Sequence, residues 1–164
     1  MTVSDSRVLM EFNFWANAKT LQSVESIPDE KLYEDRKDSF GGIHGTLVHM
    51  CGAEDIWLQR LTNITPTVYM TKGSYPTMDT VRTKWEEVNE GYKKYLAVLT
   101  EDELARGFEI TTQKGDRFSQ LVWQALQHLV NHSSYHRGQI TTMLRQIGGT
   151  PISTDLIAYY RLKK

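Results

Sequence analysis

Cysteine is almost missing from this 164-residue chain. Cys51 stands alone, so no internal disulfide can form and a disulfide scaffold is excluded; a lone thiol fits a reducing compartment. Charge of one sign is missing too. Nineteen Lys+Arg face twenty Asp+Glu, a net charge of −1 with the five His neutral. Nothing therefore draws the chain as a whole to phosphate backbones or anionic membranes, and neither nucleic acid nor a membrane is expected as a partner. The basic residues of the tail, Arg161, Lys163 and Lys164, are too few for a binding stripe and read as a solvated terminus. No apolar run approaches the roughly 18 residues of a membrane span, and Met1-Thr2-Val3-Ser4-Asp5 lacks the charged-then-apolar layout of a secretory signal. The expectation is a cytoplasmic protein, in which the sequons at Asn63 and Asn131 would go unused. What is present, 40% hydrophobic and 24% charged residues, suits one globular domain over 1–164, long enough to bury about two-thirds of its unfolded surface.

The dominant pattern is helical. Val8, Phe12, Trp15, Ala18 and Leu21 recur at amphipathic spacing, predicting a first helix to Val24 with Ser4 or Asp5 as its cap. Pro28 opens a short acidic segment. Gly41-Gly42 precede a second helix from about Ile43 to Leu61, with Ile43, Leu47, Met50, Trp57 and Leu61 as its stripe. After the aperiodic segment 63–77, a third helix runs from about Asp79 to Leu99 on Val81, Trp85, Val88, Tyr92 and Tyr95. Thr100-Glu101-Asp102-Glu103 is a capping box for one short turn. Phe108 to Phe118 alternates weakly around Lys114-Gly115-Asp116, the mark of a small hairpin. Ser119 would cap a last helix, stopped near Ile147 by Gly148-Gly149 and Pro151. The expected fold is all-α, a four-helix bundle. Fully extended, the segment 63–77 spans roughly 50 Å against a bundle length of about 30 Å, so helices two and three can run parallel, joined by one long crossover.

Histidine carries the sharpest chemical signal. His128, His132 and His136 climb the last helix at steps of four. With Leu129 marking the centre of the apolar stripe, His136 lies about 20° and His132 about 60° away, whereas His128 sits at the edge, about 100° off. Two imidazoles thus stand where Leu is expected, at a cost of a few kcal/mol unless their nitrogens find partners. An i, i+4 pair can converge on one metal ion; satisfaction by side chains or water is the plainer alternative. A third ligand would come from helix two, where the wheel does not decide: His44 and His49 lie on opposite edges of the stripe. His44 could be a surface or N-terminal residue, and mid-helix His49, beside Ala53 and Ile56, is the more inward. Cys51 points about 200° from His49 and reads as a small buried thiol.

The segment Asn131-His132-Ser133-Ser134-Tyr135-His136-Arg137-Gly138-Gln139-Ile140 resembles the most characteristic stretch of the DinB-like (DinB/YfiT) metalloenzyme family. Gly45-Thr46-Leu47-Val48-His49, with Ala53-Glu54 and Trp57-Leu58, is similar to its other histidine segment. Asn13-Phe14-Trp15-Ala16-Asn17 resembles its first helix, and Arg145-Gln146-Ile147-Gly148 with Asp155 its C-terminal end. The resemblance implies a four-helix bundle holding a divalent ion on three histidines, which carry over to His49, His132 and His136. Zinc or nickel is the expected ion; imidazole affinity follows the general order of the divalent metals, so purification history decides which one a purified sample carries. Three neutral imidazoles leave room for water or substrate. Characterised relatives include transferases and isomerases that use low-molecular-weight thiols, so the resemblance implies a thiol cosubstrate and a small-molecule substrate. A metal-dependent hydrolase and a non-enzymatic metal- or small-molecule-binding stress protein are the alternatives; the family name refers to induction by DNA damage, not to DNA binding. No general acid or base is assigned. Glu54 could orient a ligand, move a proton or be a buried hydrogen-bonding residue. Arg137 could bind an anion or bridge to helix one or a dimer partner, and Trp15, Trp57 and Tyr135 could line a pocket or be plain core. A homodimer is also expected, from the resemblance and because Leu9, Met10 and Phe14 give the first helix a second apolar face.

Overall fold

The computed structural model describes residues 1–112 and 115–163; the expected hairpin residue Lys114 and the tail residue Lys164 lie outside them. Along the described residues run α1 (Val3–Val24), α2 (Asp29–Leu32), α3 (Ile43–Leu61), α4 (Met78–Ala97), α5 (Glu101–Ala105), β1 (Gly107–Thr111), β2 (Arg117–Leu121), α6 (Val122–Gln146) and α7 (Leu156–Leu162). The architecture is the four-helix bundle, built from α1, α3, α4 and α6. No helix among the described residues is long and apolar enough to cross a membrane.

Local chemistry sets the helix starts. Thr2, not Ser4 or Asp5, caps α1: its hydroxyl accepts from the Asp5 N–H while the Asp5 carboxylate accepts from Thr2 N. Thr77 and Thr100 accept from the third residues of α4 and α5 in the same way. Ser119 does not cap the last helix. It sits in β2 opposite Glu109, in the antiparallel pair of β1 and β2, and α6 begins three residues later, where Gln124 Oε1 accepts from Leu121 N at 2.9 Å.

The contacts fix the helix directions. Asp55 of α3 pairs with Lys84 of α4, and Leu58 packs on Gly91 further along both. The two helices therefore run parallel, as the long segment after α3 allows; Met70 of that segment packs on Gly52 of α3. Helices α1 and α6 are also parallel. Val3 shares a core layer with Val122 and Leu126, and Val24 shares the other layer with Ile140 and Leu144. Against these, α3 is antiparallel to α6. His49 meets His132 and His136, while Trp57 meets His128. That opposition is what brings the histidines of two helices to one level.

The face of α1 that goes deepest differs from the expected stripe. Met10, Asn13, Ala16, Asn17 and Thr20 are buried, whereas Ala18 is exposed and Trp15 only half-buried. Polar side chains point inward because they have partners there, described below.

Candidate metal centre

His132 and His136 lie one turn apart on α6 and His49 faces them from α3. His132 Nε2 is 3.2 Å from the Nε2 atoms of both His49 and His136. The three ring nitrogens all lie within 4.8 Å of one another. Four tetrahedral ligands at 2.0–2.1 Å from zinc would stand about 3.3 Å apart, so these spacings suit a single ion. The tautomers suit it as well. His136 Nδ1 is 2.7 Å from Gln139 Oε1, which can only accept; the proton is on Nδ1, and the Nε2 lone pair is free to ligate. His132 Nδ1 is buried with no hydrogen-bond partner among the described residues. Burial is the first cause, with neighbouring histidine charge behind it, that pushes His49 and His132 down to about 4. Both are therefore neutral at physiological pH, the form a metal requires.

Phe40, from the loop before α3, closes one side of the centre. Its ring stacks on His49 at 3.9 Å and 14°, and meets His136 edge-on at 5.3 Å. Gly45 makes this possible. It precedes His49 by one helical turn, and a Cβ there would collide with the Phe40 carbonyl oxygen. Phe40, Tyr135 and Gln139 also line a cavity of about 430 Å³, with Asp38, Thr142 and Gln146 among its other walls. Tyr135 is 65% exposed with its ring 5.1 Å from His136; Trp57 stands over His128.

The remaining candidates separate cleanly. His44 is buried against Tyr33, not a surface residue, because the loop before α3 and the segment after it cover the helix start; it is not among the convergent nitrogens. His128 is exposed, its ring 5.7 Å from that of His132. Cys51 is free and buried, and burial pushes its thiol far up, so it stays protonated. Trp15 packs on Phe12 and Tyr159. Glu54 is fully buried and saturated: Oε1 accepts from Asn13 Nδ2 at 2.8 Å, Asn17 Nδ2 at 2.7 Å and Ser133 Oγ at 2.9 Å, and Oε2 accepts from Trp85 Nε1 at 2.8 Å. Arg137 is 2% exposed and bridges to helix one: Nη1 donates to Asn13 Oδ1 at 2.8 Å and Asn17 Oδ1 at 2.7 Å, and Nη2 to Ser134 Oγ. Sequence reasoning gave no role to Phe40, Ser133, Asn13 or Asn17. The asparagines were the detectable ones, a polar i, i+4 pair inside an otherwise core-facing helix.

The DinB family model matches residues 1–163. The chain belongs to the DinB family. Protein DinB of Bacillus subtilis (strain 168) is 27% identical over 161 residues, covering 95% of this chain and 94% of that protein. Among solved structures, YfiT from Bacillus subtilis superposes with a TM-score of 0.68 at 19% identity, covering 92% of this chain and 91% of that one. YfiT is described as a probable metal-dependent hydrolase with an unusual four-helix bundle topology. The likeness extends the fold from this DinB-family chain to that protein.

Proposed function

We propose that this DinB-family chain is a divalent-metal-dependent enzyme whose three-histidine centre activates a low-molecular-weight thiol for transfer onto a small molecule. One observation carries the reading: three histidine ring nitrogens at ion-binding spacing, with no fourth His, Cys, Asp or Glu ligand beside them among the described residues. A structural site would close its fourth position; a catalytic one leaves it for substrate. His49, His132 and His136 would hold the ion, zinc or nickel. When bound, the ion acts as a Lewis acid that lowers the pKa of a coordinated thiol or water.

The chain's own residues favour the thiol. Glu54 has every oxygen committed to donors and is not free to act as a general base. Asp38, on the cavity wall, has its Oδ1 held by the backbone N–H groups of Phe40 and Gly42. A thiol, with an ordinary pKa of about 8.5, needs less assistance than water. Phe40, stacked on His49, shields one flank from water, while Gln139 orients His136. Hydrolysis is the second reading, supported by the description of YfiT.

Dialysis against zinc or nickel followed by elemental analysis tests the centre. About one equivalent should be retained, lost in His49→Ala, His132→Ala and His136→Ala but kept in His44→Ala and His128→Ala. Less than a tenth of an equivalent in the parent refutes the centre. Titrating a small thiol into nickel-loaded protein tests the nucleophile: a new near-ultraviolet charge-transfer band supports the thiol reading, and an unchanged spectrum transfers the case to hydrolysis.

A further inference from the structure

The residue after each α6 ligand is tied sideways into the bundle. Ser133 follows His132 and donates to Glu54 Oε1; Arg137 follows His136 and donates to Asn13 and Asn17, whose amides donate in turn to the same Glu54 oxygen. Glu54 lies on α3, five residues past the third ligand, His49. The hydrogen bonds thus form a closed ring, joining α3 to α6 once directly and once through α1. All five members are buried. Successive helical residues point about 100° apart, so holding 133 and 137 fixes the rotation of α6 and with it the direction of 132 and 136.

Burying a carboxylate and a guanidinium with two amides between them is a costly way to hold helices together, and packed apolar side chains commonly do it as well. What such a network adds is a single register. We propose that Glu54, acting through Ser133 and through Asn13, Asn17 and Arg137, is a positioning residue for the metal centre. It sets the rotation of α6 against α3 at which the three Nε2 atoms meet, without touching the ion. This rests on the metal-dependent reading above.

Trp85 supplies the control. Its Nε1 donates to the other oxygen of Glu54 from α4, which carries no ligand. Ser133→Ala and Trp85→Phe each remove one donor to the same carboxylate, and only the first cuts a tie between the two ligand-bearing helices, α3 and α6. In the full-length protein, cobalt(II) affinity by competition titration should fall about tenfold in Ser133→Ala, with altered visible absorption of the bound ion, and stay within about twofold of the parent in Trp85→Phe, whose spectrum is unchanged. Both variants melt below the parent, so stability alone does not produce that split. Arg137→Met cuts the tie beside His136 and should weaken cobalt binding in the same direction; if it does not fold, Ser133→Ala decides. Equal affinity and spectrum for Ser133→Ala and Trp85→Phe overturn the positioning role and leave the centre standing. A parent that takes up no cobalt overturns the metal reading and the positioning role together.

Discussion

Acid should destabilise the metal-free protein through the very histidines that hold the ion. Burial, and neighbouring histidine charge after it, keeps His49 and His132 at about 4 instead of 6.5. As pH falls the unfolded chain takes up these two protons first. Stability that is fully present above about pH 6.5 is therefore lost on the way down to about 4. Between pH 7 and 5 each such group loses about 2 kcal/mol at face value. Both rings are partly solvated, which roughly halves the figure, so the pair amounts to about 2 kcal/mol. For a domain of this size that is a melting temperature lower by about 4–8 °C. Carboxylates add little in this window, because the depressed ones, Asp5, Glu11, Asp38, Glu90 and Glu103, lose their contribution only as pH falls below about 4.5. The assay is thermal unfolding of chelator-treated protein at pH 7, 6 and 5, for the parent and for the double variant His49→Gln/His132→Gln. The parent should lose the additional 4–8 °C. Identical pH dependence in the two proteins refutes the link between burial of these rings and stability. Saturating zinc should raise the parent's melting temperature most at pH 7 and progressively less towards pH 5, since protons and metal compete for the same nitrogens.

Two further outcomes follow from named contacts. Gln139→Ala removes the acceptor of the His136 Nδ1 proton and should weaken metal binding about tenfold, whereas Gln139→Glu, which keeps an acceptor, should hold it; competition titration separates the two. We propose a homodimer, but not through the face of Leu9, Met10 and Phe14, because Met10 is fully buried and Leu9 and Phe14 pack on the core of the same chain. Tyr159 of α7 already covers Phe12 and Trp15 on α1, which leaves Leu156, Ile157, Tyr160 and Leu162 exposed beside them as the surface for a second copy to bury. Light scattering at micromolar concentration should give about twice 18.9 kDa, falling to the single-chain mass in Ile157→Lys/Tyr160→Lys; the single-chain mass for the parent refutes the dimer.

The parts of the fold legible in the sequence are those where one face is apolar and the period is long. Helix α3 begins and ends where its stripe does, and the wheel of α6 places His132 and His136 inward because Val122, Leu126, Leu129, Ile140, Met143 and Ile147 define the stripe around them. Helix α3 could not choose between His44 and His49 by angle, since both flank its stripe and both turn out to be at least partly buried. What separates them is tertiary: the antiparallel crossing of α3 and α6 brings His49 opposite the pair, while His44 packs under Tyr33. In α1 the apolar residues marked a stripe rotated from the deepest one, because the innermost positions hold Asn13 and Asn17, whose partners lie on other helices, and Thr20, whose hydroxyl donates to the Ala16 carbonyl of its own helix. Periodicity counts apolar side chains and is blind to a polar core that satisfies itself. Helix α7, seven residues long, is too short to show a period at all.

The segregation of polarity inside the bundle bears on the chemistry. Helix α6 lies between α1 and α3, so its inward surface is divided: the histidines turn toward α3, and Arg137 turns toward α1. Burial pushes the Arg137 guanidinium down only to about 10, with Glu54 pulling it back up, so it stays charged at neutral pH. Its positive charge and the Glu54 carboxylate offset each other within the ring of hydrogen bonds. No carboxylate is among the three convergent ligands. A divalent ion on three neutral imidazoles would keep its full double charge, undiminished by a ligand carboxylate. Such a centre polarises an incoming nucleophile more strongly than one with an anionic ligand. Placing Glu54, the one buried carboxylate among the described residues, where it fixes α6, and keeping it out of the ligand set, therefore serves both the geometry of the centre and its Lewis acidity.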